Sequence, residues 1–170
     1  MTLTTICVIA ATIIYVAYNA MALIYFGVPE SLSKTYYLLK DRWNVGYLFT
    51  LMMFSVVFLM MPAWITLSEG SNFQFLAFLA PASIAFVGAA PAFLSSDLQG
   101  KVHTAAAILA AICSLAWVCL VTPYWWTIFC WCAVVSLAVV LTKSIKTAYT
   151  YWLETVAFAT TFSLVMFLSL

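Results

Sequence analysis

Long apolar runs alternate with short polar gaps along the whole chain, and six of these runs approach the length of a membrane-spanning helix. Such a helix needs about 20 mostly apolar residues to cross the hydrocarbon core. We therefore predict an all-α integral membrane protein, a single domain over 1–170 that forms a compact bundle of six transmembrane helices. The predicted spans cover residues 3–26, 45–67, 75–94, 102–122, 124–141 and 152–170.

The cations of the chain occupy alternate gaps between these runs. All six Lys and Arg lie in three gaps, and the two gaps between them have none: Lys34, Lys40 and Arg42, then Lys101, then Lys143 and Lys146. Cytoplasmic loops carry the excess of Lys and Arg. Six crossings therefore place every cation in the cytoplasm and both termini on the opposite side. The compact size and short loops are typical of a bacterial inner-membrane protein.

The first gap is too long for a simple turn and has a helical pattern of its own. Four large residues recur in it at spacings of four, three and four, which is one face of a helix: Leu32, Tyr36, Leu39 and Trp43. Pro29 and Glu30 suit a first helical turn, where a missing N–H is tolerated and a carboxylate meets the positive end of the helix dipole. We predict a short interfacial helix over 29–43 on the cytoplasmic leaflet. The alternative is a plain connector with snorkelling cations.

Small residues and one turn predict how the spans pack. The third and fourth spans carry mostly small residues every four positions, which lets backbones approach closely: Ala77, Pro81, Ala85 and Ala89 on one span, and Ala106, Ala110 and Ser114 on the next. We expect these two helices to form the centre of the bundle. The tight turn at Thr122, Pro123 and Tyr124 predicts that the fourth and fifth spans are antiparallel neighbours.

Tryptophan and tyrosine residues lie near the predicted ends of the spans. These side chains favour the level of the lipid headgroups, so we expect them to mark the two faces of the membrane. The outer face would carry Trp64, Tyr124, Trp125 and Trp126, and the inner face Tyr25, Trp43, Tyr47, Tyr149, Tyr151 and Trp152.

Composition excludes several classes of function. Hydrophobic residues make up 67% and charged residues 6% of the chain, whereas soluble domains are about half apolar and about a quarter charged. A net charge of +1 provides too little positive potential to attract nucleic acid, so nucleic acid is not a predicted partner. The predicted midplane contains no ionisable Asp, Glu, Lys, Arg or His, so a voltage sensor, a proton relay or a retinal pump is not expected. The five cysteines fall inside predicted spans and imply no disulfide framework.

Polar side chains collect instead at the predicted cytoplasmic edge. We predict that six of them form a cup that binds a small solute or a lipid headgroup: Glu30, Tyr36, Tyr37, Asp97, His103 and Glu154. Gly100 permits a turn between Asp97 and His103, so the carboxylate can orient the imidazole for proton transfer. Charged residues at span ends are also common as solvated anchors, and this structural role is the alternative for each of them.

Glu154 begins the last predicted span and therefore needs a partner. The candidates are Lys143, Lys146 and His103. A metal site is not predicted, because a catalytic zinc ion usually takes three protein ligands and the chain has one histidine. We expect no cofactor.

Three classes of function remain, and a non-enzymatic role is favoured. The first is binding or transport of a small solute or lipid headgroup through the cytoplasm-facing cup. The second is a noncatalytic membrane subunit or assembly factor, whose partners would be other membrane subunits within the lipid bilayer. The third is a membrane-embedded hydrolase that uses His103 with Asp97.

One weak similarity accompanies the third class. Glu30, the segment "FVGAAPAFL" and the segment "DLQGKVH" resemble membrane hydrolases of the ceramidase and adiponectin-receptor type. The resemblance covers a small part of the chain. This sequence lacks that family's several histidines and its seventh span, so we carry over no activity from it.

Overall fold

The computed structural model describes residues 2–170, and its regular secondary structure there is entirely α-helical. The seven helices are α1 (Leu3–Phe26), α2 (Thr35–Trp43), α3 (Tyr47–Leu67), α4 (Leu76–Ala89), α5 (Asp97–Val121), α6 (Thr127–Thr142) and α7 (Tyr149–Ser169). Four of them, α1, α3, α5 and α7, are long and apolar enough to cross a membrane. The all-helical prediction is thus confirmed, and four helices of this length and hydropathy indicate a multi-pass integral membrane protein.

The other two apolar helices, α4 and α6, are shorter than their predicted spans. They have 14 and 16 residues, or about 21 and 24 Å, against a hydrocarbon core of about 30 Å. Helix α4 ends at Ala89 because Pro91 lacks an N–H and disfavours helical geometry in the residue before it. Ala90 accordingly has φ −112° and ψ 54°, and the chain is non-helical from 90 to 96.

Helix α3 lies at the centre of the bundle, in contact with α1, α2, α4 and α7. Helices α4 and α5 pack closely together, as their small residues predict, but the expectation that they form the centre was wrong. The approach of α4 to α3 requires a glycine, because a Cβ atom on Gly88 would lie 2.8 Å from Cβ of Met53. Thr50 also donates a hydrogen bond to the carbonyl of Gly88 at 3.1 Å.

Helix α6 lies at the periphery and packs against α7 rather than α5, so the prediction from the tight turn was wrong. Thr122 is extended, with φ −118° and ψ 153°, and it directs the chain away from α5. The indole N–H of Trp131 donates to Ser163 Oγ of α7 at 2.9 Å. Of residues 127–142, all of which the structure describes, only Val135 is buried.

The predicted interfacial helix begins later than the sequence indicated, at Thr35 rather than Pro29. Gly27, with φ +71°, ends α1. Turns follow, in which the N–H groups of Lys34 and Thr35 donate to the carbonyls of Ser31 and Leu32. Pro29 is buried and not at a helix start. We call residues 27–34 the capping segment.

Contacts between distant residues define two ends of the bundle. At the terminal end, Thr5 Oγ1 donates to the carbonyl of Ser169 at 2.7 Å, which joins the start of α1 to the end of α7. At the capped end, the N–H of Tyr151 donates to the carbonyl of Glu30 at 3.1 Å, which joins the start of α7 to the capping segment.

Two of the aromatic residues expected at the membrane faces are buried instead. Trp64 and Tyr151 are 1% and 4% exposed. Trp64 packs edge-on against Trp117 with ring centroids 6.0 Å apart, and the indole N–H of Trp117 donates to Ser68 Oγ at 2.7 Å. Other members of the set are exposed, as predicted: Tyr25, Trp43, Tyr47, Trp125, Trp126 and Tyr149.

Candidate functional site

A cavity of about 50 Å³ lies between α3, α4, α5 and α7. Most of its wall is apolar: Met53, Ile84, Val87, Ala107, Ala110, Ala111, Ala157, Phe158 and Phe162. Along α7 the lining residues extend from Glu154 to Phe162, a rise of about 12 Å. The cavity is therefore narrow and follows the helix axes.

One end of the cavity is polar and is lined by the capping segment. Leu32 and Ser33 line it there together with Glu154. Glu154 Oε2 accepts a hydrogen bond from the N–H of Leu32 at 2.6 Å. Oε1 has no hydrogen-bond partner within residues 2–170. The predicted partners of Glu154, which were Lys143, Lys146 and His103, are replaced by this backbone group.

The far end of the cavity contains an indole group with an unused donor. Trp64 lines the cavity and is 1% exposed. Its Nε1 atom is buried without a hydrogen-bond partner in the part of the chain that the structure describes. Ser114 and Thr161 add hydroxyl groups to the wall.

His103 is buried and held from three sides. Its Nδ1 lies 2.9 Å from the carbonyl oxygen of Ala90, and its Nε2 lies 2.8 Å from Ser33 Oγ. Phe93 stacks on the ring, with centroids 4.5 Å apart and planes 20° from parallel. Both ring nitrogens thus form hydrogen bonds with groups outside α5.

The expected pairing of Asp97 with His103 does not occur. The segment "DLQGKVH" is not a turn but the first part of α5, because Ser96 caps the helix by accepting from the N–H of Gln99. Two residues six apart on a helix point to different sides of it. Asp97 is exposed, and His103 faces inward.

The remaining predicted residues lie outside the cavity. The Glu30 side chain is 71% exposed and pairs with Lys34 Nζ at 3.7 Å. Tyr36 lies beside Lys40 Nζ at 6.0 Å. Tyr37 contributes to the scaffold, because its hydroxyl accepts from the N–H of Leu94 at 2.7 Å. Of the six predicted residues, His103 and Glu154 form hydrogen bonds with adjacent residues of the capping segment, Ser33 and Leu32. The side chains of the other four take no part in these bonds.

Sequence reasoning missed the partners of these two residues. Ser33 stood among the polar residues of the first gap, but no local signal connects it to His103 at a separation of 70 residues. Nor did the sequence indicate the buried bond of 2.6 Å between Tyr18 OH and Thr35 Oγ1, which holds α1 to the first residue of α2.

The arrangement suits a molecule with one apolar and one polar part. The alanine and aromatic wall provides space for an apolar chain and gives it no hydrogen bonds. Glu154 and Ser33 provide hydrogen-bonding groups at one end. Within residues 2–170, no three His, Cys, Asp or Glu side chains are grouped in a way that can hold a metal ion.

Comparisons of the chain with protein-family models, with curated proteins and with solved structures find no match.

Proposed function

We propose that this protein binds a small amphiphile, such as a single-chain lipid, with its apolar chain in the cavity and its polar head at Glu154. The observation that carries the proposal is the position of this carboxylate at the polar end of a narrow apolar cavity. A carboxylate recognises cationic or hydrogen-bond-donating heads. Storage and transport of a lipid or solute both require such a binding step.

One further observation supports a ligand in this cavity. Oε1 of Glu154 has no hydrogen bond from residues 2–170, so it can accept one from a ligand head.

A series of amphiphiles with equal chains and different heads tests the proposal. The full chain in lipid nanodiscs would be titrated with an alkyl amine, an alkyl alcohol and an alkyl carboxylate, and native mass spectrometry would count the bound molecules. We expect the amine and the alcohol to bind and the carboxylate to be rejected by Glu154. Glu154→Gln still accepts from the Leu32 N–H, and it should weaken amine binding by about tenfold, or about 1.4 kcal/mol.

Matched variants separate the cavity from the surface. Glu30→Gln removes an exposed carboxylate and should leave binding unchanged. Ala110→Leu fills the cavity and should prevent binding, whereas Ala105→Leu on the exposed face of α5 should not. Equal affinity for all three heads, or no effect of Glu154→Gln and Ala110→Leu, would contradict the proposal.

We also infer a topology of six crossings, in which α4 and α6 span the membrane together with the four longer helices. The three cation-bearing parts of the chain meet at the capped end, through the contacts of Ser33 with His103 and of Glu30 with Tyr151. This arrangement supports a cytoplasmic capped end and both termini outside, in a bacterial inner membrane.

Reporter fusions test this topology. Fusions after Lys34, Lys101 and Lys143 should all report the cytoplasm, and a fusion at the C-terminus should report the opposite side. If the fusions after Lys34 and after Lys143 reported opposite sides of the membrane, the inferred topology would be refuted.

A further inference from the structure

The hydrogen bonds of His103 determine which of its nitrogens carries the proton. The carbonyl oxygen of Ala90 can only accept, so Nδ1 must donate to it. In the neutral imidazole, Nε2 then has a free lone pair. Ser33 Oγ, 2.8 Å from Nε2, therefore donates its proton to the ring.

The Ala90 carbonyl is available because α4 stops before Pro91. In a continuing helix this oxygen would accept from the N–H of Leu94, but that N–H donates to the hydroxyl of Tyr37. The carbonyl is left to orient His103, and Phe93 fixes the plane of the ring. Ala90, Phe93 and Tyr37 are thus positioning residues for the imidazole.

The hydrogen bond that the Ser33 hydroxyl donates differs from those of most hydroxyl groups in and next to the helices. Thr12, Ser83 and Thr122 donate to the carbonyl four residues before them, which is the usual way to satisfy a hydroxyl in an apolar setting. Ser33 is 3% exposed, lines the cavity and bonds to an imidazole. Its N–H has no acceptor within residues 2–170, so this donor is free for a ligand.

A serine hydroxyl bonded to a histidine, with the other nitrogen of that histidine held by an acceptor, is the arrangement that activates serine as a nucleophile. We propose that Ser33 and His103 form an acyl-transfer site for a carboxylic ester whose alkyl chain occupies the cavity. The choice of substrate rests on the proposed function, because it assigns the chain of the bound amphiphile to the acyl group.

The reaction needs only the ester and water. Ser33 Oγ attacks the carbonyl carbon and gives its proton to His103 Nε2. The bond between that carbon and the alcohol oxygen breaks, and the leaving oxygen takes the proton from Nε2. Water then gives a proton to Nε2 and its oxygen adds to the acyl carbon. The bond to Oγ breaks, Oγ regains the proton, and a carboxylic acid leaves. The free N–H of Ser33 can donate to the oxyanion in both steps.

Labelling with an alkyl fluorophosphonate tests the proposal, because this probe phosphonylates activated serines. The full chain in nanodiscs should be labelled, and peptide mass spectrometry should place the label on Ser33. Ser33→Ala should not be labelled. His103→Gln retains hydrogen-bonding groups near Ala90 and Ser33 but is not a base, and its labelling should be at least about 100-fold slower.

Two controls guard against loss of the fold. Ser31→Ala removes the neighbouring hydroxyl, which accepts from the N–H of Lys34 in the same turn, and it should be labelled like the wild type. Thermal unfolding of all variants shows whether Ser33→Ala and His103→Gln remain folded. Ser33→Cys provides a second route, because it should be alkylated by a long-chain iodoacetamide faster in the presence of His103 than in His103→Gln.

The outcomes separate this proposal from the proposed function. A wild-type protein that binds the amphiphile but is not labelled, or whose label persists in Ser33→Ala, overturns the acyl-transfer site and leaves binding intact. If Ser33 is labelled and the bound amphiphile does not slow the labelling, the cavity is not the ligand site, but the assignment of Ser33 as a nucleophile stands. Labelling of Ser33 that the amphiphile competes with supports both.

Discussion

The capped end of the bundle differs from the rest of it in how completely its buried polar atoms are bonded. At the capped end, the capping segment and the first residue of α2 are bonded to three separate helices, through pairs that join Tyr18 to Thr35, Ser33 to His103 and Leu32 to Glu154. Towards the terminal end, the hydrogen bond of Thr5 to Ser169 is accompanied by aromatic packing, as in the Trp64 and Trp117 pair. Two buried polar atoms away from the capped end, Trp64 Nε1 and, near the middle of α7, Thr160 Oγ1, have no partner among the described residues.

The difference teaches where this protein requires precise geometry. A polar group inside a bilayer is costly unless it is bonded, so several specific bonds in one place fix the positions of the atoms that make them. Packing fixes shape less exactly and tolerates an occasional unpaired atom. Removal of a bonded hydroxyl at the capped end and of an unbonded hydroxyl elsewhere should consequently have opposite effects on stability.

Near the middle of α7, Thr160→Val should stabilise the protein. Thr160 is fully buried and its hydroxyl is unpaired within residues 2–170, and valine replaces that hydroxyl with a methyl group of similar size. We expect a gain in the free energy of unfolding of about 1 kcal/mol, measured by reversible unfolding in mixed micelles.

The neighbouring residue provides the control. Thr161 Oγ1 donates to the carbonyl of Ala157 at 2.8 Å, so Thr161→Val removes a satisfied hydroxyl and should give no gain. Equal stabilisation by both substitutions would show that the missing partner of Thr160 is not the cause.

At the capped end, Tyr18→Phe should destabilise the protein by a smaller amount. Thr35 Oγ1 gives its own proton to the carbonyl of Leu32, so the Tyr18 hydroxyl is the donor in their bond of 2.6 Å. Interhelical hydrogen bonds in membranes contribute about 0.6 kcal/mol on average, and we expect a loss of that size in the same unfolding measurement. Amide hydrogen exchange over 27–34 should become faster.

Tyr47→Phe is the matched control, because Tyr47 is 61% exposed and lies outside the capping segment. Its stability and exchange should equal those of the wild type. If Tyr18→Phe also left the exchange of residues 27–34 unchanged, the view that specific bonds hold this segment would be wrong.

The sequence predicted α1 and α3 well, because length and hydropathy are local properties, and both lie within about two residues of their predicted ranges. Helix α5 begins before its predicted range, at Asp97 rather than at 102, because Ser96 caps it there. Pro91 carried the information that α4 is short, but an unbroken apolar run up to Leu94 outweighed it. The position of α6 could not be predicted from the sequence. A tight turn determines that two helices meet at one end, but it does not determine the direction of the second helix.

The site was predictable in its rare residues and not in their partners. His103 and Glu154 stand out because ionisable groups are scarce in this chain and are costly within a bilayer. Their partners are a serine 70 residues away and a backbone N–H 122 residues away. Backbone groups leave no trace in a sequence, and separations of this size depend on the packing of the whole bundle.

The early end of α4 has a consequence for the surrounding lipid. In the inferred topology of six crossings, α4 would set a regular helix of about 21 Å against a hydrocarbon layer of about 30 Å, a hydrophobic mismatch that local thinning of the bilayer relieves. Such thinning next to residues 90–96 would draw phosphates and interfacial water towards the capping segment. The inferred topology thus predicts a preference for thin membranes and for an annulus of short-chain phospholipids along this flank.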